Sequence, residues 1–181
     1  MPKQMDFEVL KIRKIDSSTG NFKLHEDYIL SYDHFDGWSE RLLSLGIYVD
    51  IIFECKVRLH FLDKNMARIE KQFECEIPPE IKTLILGIIN LDQIVLKHYY
   101  ADMFLEDETR QNYVINHSGK SHNITIGTLL KKLQPENSSE ELFFNLIDLF
   151  KKWREEFYHE CLKELAPSDQ IPINEKRKRK R

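Results

Sequence analysis

Two residues near the C-terminal end have types and spacing that could do chemistry. They are Arg154 and His159, separated by Glu155, Glu156, Phe157 and Tyr158. At about 100° per residue on a helix, Arg154 falls inside an apolar arc beside Trp153, Phe157 and Tyr158. A guanidinium in that setting needs an anion, a carboxylate partner or an open pocket. His159 lies five residues on, at the edge of the same arc. Imidazole, with an unperturbed pKa of about 6.5, serves as acid or base near neutrality. Arginine stabilises developing phosphoryl charge through its planar fork. Together these groups suit metal-free attack of a ribose 2′-hydroxyl on the adjacent phosphate. The plainer reading is an arginine that snorkels or pairs along its helix, with a surface histidine.

Two other motifs carry less. Glu156 and His159 have the Glu-x-x-His spacing of helical di-metal carboxylate sites, but the chain offers no second such pair on its other long apolar segment. No metal or other cofactor is therefore expected. Gly119-Lys120-Ser121 has the ending of a phosphate-binding loop, yet residues 113–118 contain no glycine to begin one, which excludes nucleotide binding there.

The element that must position the pair is a helix over 139–165. Ser138 or Ser139 can cap it, and Glu140 and Glu141 fall in its positive first turn. Leu142, Leu146, Leu149, Phe150 and Trp153 then recur at three- and four-residue steps. A second helix is expected over 81–104, from Leu84, Ile85, Ile88, Leu91 and Val95, after Pro78-Pro79 ends the preceding sheet. Between the two, 113–115 and 123–126 read as a small hairpin, and 125–133 as a short capped helix.

Upstream of residue 78 the pattern is β. Apolar residues alternate from Ile47 to Phe61 against mostly polar neighbours, and 67–77 returns as a partner. The expected long antiparallel hairpin, 47–62 with 67–77, buries Val49, Ile51, Phe53, Cys55 and Val57. Half-exposed strands are expected over 7–15 and 22–32, with a short helix over 38–45 closed by Gly46.

A long helix, a middle segment 125–133, and a helix with Arg-x4-His at Arg154 and His159 together resemble the HEPN family of all-helical domains. The resemblance covers residues 78–166. It implies a HEPN-like helical bundle and a metal-independent endoribonuclease in a toxin or phage-defence setting. It also implies RNA as substrate and a homodimer that brings two Arg154–His159 motifs into one cleft, supplying acid and base together.

The expected architecture is therefore α+β. An antiparallel β region occupies 1–77, a HEPN-like bundle 78–166, and a basic disordered tail 167–181. The alternative is a non-catalytic interaction or regulatory module, antitoxin-like or phage-encoded, that takes a protein partner through the β region. Charge favours this alternative. The chain of 181 residues has a net charge of -3, but its last seven residues hold six cations and one anion, so the body is more acidic than the total suggests. Glu155, Glu156 and Glu160 flank His159, where an RNA cleft would be basic.

Three cysteines without a Cys-x-x-Cys pair argue against a zinc ribbon or a disulfide scaffold and suit a reducing cytoplasm. The charged N-terminus and the lack of a long apolar run point away from export and from the membrane.

Overall fold

Alternation of apolar and polar residues, not helical periodicity, builds most of this protein. The computed structural model describes residues 3–35, 42–62, 65–103 and 109–164. In chain order the elements are β1 (Lys3–Gln4), α1 (Val9–Ile12), β2 (Arg13–Ile15), β3 (Phe22–Leu24), β4 (Tyr28–Phe35), β5 (Leu42–Asp50), β6 (Glu54–Leu62), β7 (Arg68–Glu76), α2 (Pro79–Ile89), β8 (Tyr99–Tyr100), β9 (Arg110–His117), β10 (Lys120–Ile126) and α3 (Ser138–Glu164). Among the described residues, eight strands form one sheet in the order β1-β7-β6-β5-β4-β9-β10-β8, and β2 with β3 forms a separate ribbon. Neighbours in the large sheet run antiparallel, except β8, which is parallel to β10.

The 47–62 alternation hides a turn. β5 ends at Asp50, residues 51–53 reverse the chain, and β6 starts at Glu54. Val49 lies opposite Cys55, and Ile47 opposite Val57. Opposite residues in an antiparallel pair face the same side, and here both partners carry odd numbers. Two strands of matching parity therefore read as one long strand. Val49, Cys55 and Val57 are buried as expected, but Ile51 is exposed and Phe53 only half-buried. β7 then pairs with β6, so the expected hairpin is one half of a three-stranded meander.

The expected strand over 7–15 splits into α1 and β2, and the one over 22–32 into β3 and β4. The short helix expected over 38–45 falls partly outside the described residues, and 42–45 belong to β5. Gly46, expected to close that helix, lies inside β5, where a Cβ would come within 2.6 Å of the Tyr48 hydroxyl. The basic tail 167–181 lies outside the described residues.

Among the described residues the helical bundle expected over 78–166 is absent, and with it goes the resemblance to HEPN domains. The first helix stops at Ile89, where Asn90 N–H still donates to Leu86 O at 3.1 Å and Leu91 N–H to Ile88 O. The apolar spacing runs on past this point. Ile94 and Tyr100 are buried, but they come from an irregular segment and from β8. Segment 125–133 is not helical: Gly127 N–H donates to Tyr100 O, and Thr128 bridges to Met103. The hairpin around 113–126 is real but longer than expected, and it sits inside the sheet, with β9 against β4. Its turn is Ser118-Gly119, with φ of 49° and 74°. Two successive positive φ angles match the two-residue turn whose twist suits a hairpin. The fold is thus mainly β, with three helices among the described residues of which only α3 is long.

That last helix forms where its periodicity placed it. Asn137 caps it, its Oδ1 accepting from Glu140 N–H at 3.0 Å, one residue ahead of the serines expected to do so. Phe143, Leu146, Ile147 and Phe150 bury their side chains together with Ile81, Ile85 and Ile88 of α2. Both helices cover one face of the sheet, over Leu30, Tyr32, Ile47, Val57, Tyr113 and Ile115. The opposite face carries α1 and the β2–β3 ribbon over a smaller cluster of Ile12, Leu24, Tyr28, Tyr48 and Val114.

Candidate functional site

Arg154 lies in the last described turns of α3, and the strands under it decide its surroundings. It is 8% exposed. Its Nη1 donates to Tyr32 Oη of β4 at 3.2 Å. That hydroxyl donates onward to Gln111 Oε1 of β9 at 3.2 Å, and Tyr113 Oη donates to the same oxygen at 3.4 Å. The antiparallel register makes this possible, because Tyr32 lies opposite Tyr113 and His34 opposite Gln111. Packing holds the phenols in place: Tyr32 stacks on Tyr113 and Phe150 with ring centroids 4.8 and 5.1 Å apart. One turn further along α3, Tyr158 Oη meets Nδ1 of the buried His34 at 3.2 Å.

The Arg154 charge is poorly compensated. Its Nε is buried and, among the described residues, has no hydrogen-bond partner. Glu155 brings a carboxylate to 3.7 Å, from Nη2 to Oε1, but its side chain is largely exposed. Burial pushes Tyr32 up to about 12 despite the pull of the neighbouring Arg154, and pushes Tyr113 well above the ordinary phenol value. Both phenols are therefore neutral at ordinary pH and contribute dipoles, not counter-ions. The arrangement can anchor the C-terminal half of α3 to the sheet.

His159 is exposed. Five residues correspond to about 140° around a helix, so Arg154 faces the sheet while His159 faces solvent. Each candidate residue sits on the expected helix, but the structure gives them different surroundings. Sequence reasoning missed the groups that do meet Arg154. Tyr32 and Gln111 come from strands far away in the chain, and a register is not legible before strands are paired.

The opposite face of the sheet holds a second polar assembly. Arg13 of β2 pairs in a fork with Asp33 of β4, Nη2 to Oδ1 at 2.9 Å, and its guanidinium lies 4.3 Å from the centroid of the Phe22 ring. Burial holds the Asp33 carboxyl above its usual value even with Arg13 opposing that shift. Amides dock the ribbon. Asn123 accepts from Phe22 N–H and donates to Phe22 O, both at 2.8 Å, as a neighbouring strand would. Ser121 Oγ accepts from Leu24 N–H at 3.0 Å, and Asn116 Nδ2 donates to His25 O and Tyr28 O. The sequence signal was available: Asn112 and Asn116 of β9 and Ser121 and Asn123 of β10 fall on one face of the hairpin, but polar residues at such spacing read as solvent exposure.

Two cavities flank the ribbon. The larger, about 600 Å³, is lined by Lys14, Lys23, His25, Asn116 and His117 among others. The smaller, about 370 Å³, is lined by Asn21, His98, Asn112, Asn123 and Thr125 among others. Among the described residues, no group of three or more His, Cys, Asp or Glu side chains could hold a metal ion. Among them too, no helix is long and apolar enough to cross a membrane.

The β9–β10 hairpin stands where the all-helical HEPN fold would need helices, so the Arg154–His159 spacing does not carry that family's architecture with it. No family model, curated protein or solved structure matches the chain.

Proposed function

We propose that this chain is a non-catalytic interaction module that takes a protein partner through its β region. One observation carries the reading. The three-residue turn between β5 and β6 presents Ile51 and Ile52 to solvent, 56% and 68% exposed, and does so with Phe53 at a φ of 65°. A bulky residue in the left-handed region costs roughly 1–2 kcal/mol, which glycine there would avoid. The turn is nevertheless well held. Asp50 Oδ1 accepts from Ile52 N–H at 3.0 Å and from Glu54 N–H at 2.8 Å, while Ile51 N–H donates to Asp27 O at 2.9 Å. Lys82 of α2 lies 4.6 Å from the centroid of the Phe53 ring.

The rim of this apolar tip holds more carboxylates than cations, the cations being Lys56 and Lys82. Glu54 and Glu76, both exposed, face each other across β6 and β7, a like-charge pair that works against the sheet. Asp27 and Asp50 stand on the other side. Such a surface suits a protein partner with an apolar patch rimmed by lysine and arginine, whose charges would relieve the facing carboxylates. The acidic body of the chain points the same way. The separate surroundings of Arg154 and His159 favour binding over cleavage.

The test compares four immobilised forms of the chain in lysate of its source cells: wild type, Ile52→Asp, the Glu54→Lys/Glu76→Lys pair, and Asn145→Asp as an exposed helical control. The expected result is a basic protein retained at least tenfold better by wild type and the control than by the other two. Equal retention by all four forms overturns the proposal. So does cleavage of RNA in EDTA by wild type that His159→Ala abolishes.

A further inference from the structure

We propose that Cys55 and Cys75 form a reversible oxidative modification site that closes as a disulfide across β6 and β7. The two residues are direct partners in the antiparallel register. Their side chains therefore leave the sheet on the same face, the one covered by α2 and α3. Directly opposed residues in antiparallel strands have Cα atoms about 4.5 or 5.5 Å apart, depending on the type of pair. Both separations fall within the roughly 4.4–6.8 Å that a disulfide spans, so closure needs side-chain rotation and no slip of the backbone. Both thiols are free.

The two sulfurs differ in a way that orders the chemistry. Cys55 is 0% exposed, while Cys75 is half-buried at the border of the core. Burial, followed by the contact with Cys75, pushes the Cys55 thiol well above its ordinary value, so Cys55 is a poor first nucleophile. Cys75 is the sulfur that reagents reach. In the first step Cys75 gives its proton to solvent, and its thiolate attacks one sulfur of a small dialkyl disulfide. A bond forms from Cys75 to that sulfur and the reagent's S–S bond breaks, releasing one small thiolate. In the second step Cys55 loses its proton and attacks Cys75 Sγ, expelling the second small thiolate. The two released thiolates take up the two protons. Two protein thiols have then been oxidised to one disulfide, and one reagent disulfide has been reduced to two thiols.

The bond would join the start of β6 to the end of β7, beside the 51–53 turn and just before α2. It closes a loop of about twenty residues in the unfolded chain, which favours the folded state. This inference stands on the register of β6 and β7 and does not depend on the proposed partner.

The experiment treats the folded protein, in a Cys161→Ser background, with hydroxyethyl disulfide, a neutral reagent that the neighbouring carboxylates do not repel. Peptide mapping by mass spectrometry is expected to find Cys55 linked to Cys75 with the loss of two hydrogens. Dithiothreitol should reverse the link, and the oxidised form should melt at a higher temperature than the reduced one. Cys55→Ser should stop at a stable hydroxyethyl adduct on Cys75. Cys75→Ser should leave Cys55 unmodified while the protein is folded. A chain with both cysteines that accumulates the Cys75 adduct with no link to Cys55, or that links only in urea, overturns the proposal. Because the chain with both cysteines is decisive alone, failure of either serine variant to fold would not blunt the test.

Discussion

The two faces of the main sheet are closed by different physics. Under α2 and α3 the contact is apolar and aromatic: Phe143, Phe150, Tyr32 and Tyr113 interlock, and the polar groups present are sealed inside. Under the β2–β3 ribbon the apolar cluster is small, and the contact is finished by Asn116, Ser121, Asn123 and the Arg13–Asp33 fork. Apolar closure is non-directional and scales with buried area. Amide closure is directional, and each bond is worth about 1 kcal/mol net, but a buried partner left alone loses more. The helix face should therefore set global stability, while the ribbon face should open locally at lower cost.

The largest expected effect tests the apolar side. Phe150→Ala removes a fully buried ring that touches Tyr32, Tyr113 and Trp153. It should cost about 3–5 kcal/mol in urea unfolding. A loss below about 1 kcal/mol would show that α3 is not a principal cover of the sheet.

The ribbon comes next. Asn123→Ala strips the hydrogen bonds from both backbone groups of Phe22. It should cost about 1–2 kcal/mol. The distinguishing readout is hydrogen exchange: the amides of Phe22 and Leu24 should lose protection while those of β5 and β6 keep theirs. Uniform loss across the sheet would erase the contrast between the faces.

Arg154→Met probes the polar group sealed on the apolar side. A buried guanidinium with an unpartnered Nε, a neutral phenol and one solvent-exposed carboxylate beside it gives back little of its desolvation. Methionine of similar length should change stability by no more than about 1 kcal/mol, with stabilisation the expected sign. A loss of several kcal/mol would mean that the Tyr32–Gln111 network depends on the cation.

The smallest effect belongs to an ion cluster on the ribbon side of the sheet. Glu70 is held at about 2 by hydrogen bonds from Arg58, His60 and Gln72. A carboxyl whose folded value is depressed stabilises above its unfolded value, near 4.5, and loses that contribution as pH falls toward 2. The group is more than a third exposed, so solvent screens the effect. Glu70→Gln should lower the melting temperature slightly at pH 7, and the difference should shrink below about pH 4.5 and vanish by about pH 1. A difference that persists there would place the effect in packing and not in charge.

How much of this was legible in advance follows from the range of each signal. The helix at Ser138–Glu164 was readable because its apolar stripe repeats within a few residues and the sheet only has to receive it. The β9–β10 hairpin was readable in outline, since Ser118-Gly119 with flanking β-formers is a local turn signal. The 51–53 turn was not readable, because odd-numbered residues face the core on both sides of it and the turn itself contains isoleucines. The extension of α2 past Ile89 failed for the converse reason, as Leu91 and Val95 happen to continue a helical spacing although the helix has ended and Val95 is exposed.

By itself the sequence determined the β character of 47–62 and 67–77, the final helix with Arg154 inside its apolar arc, and the acidic character of the body. All of these are properties of composition and short-range period. Only the tertiary structure decided what Arg154 meets. Tyr32 is 122 residues away, and Gln111 joins through the pairing of β4 with β9. It also decided that Cys55 faces Cys75, and that the amides of β9 and β10 dock a ribbon instead of facing water. Pairing partners and register come from the whole chain burying its apolar faces at once, and no local window contains that information.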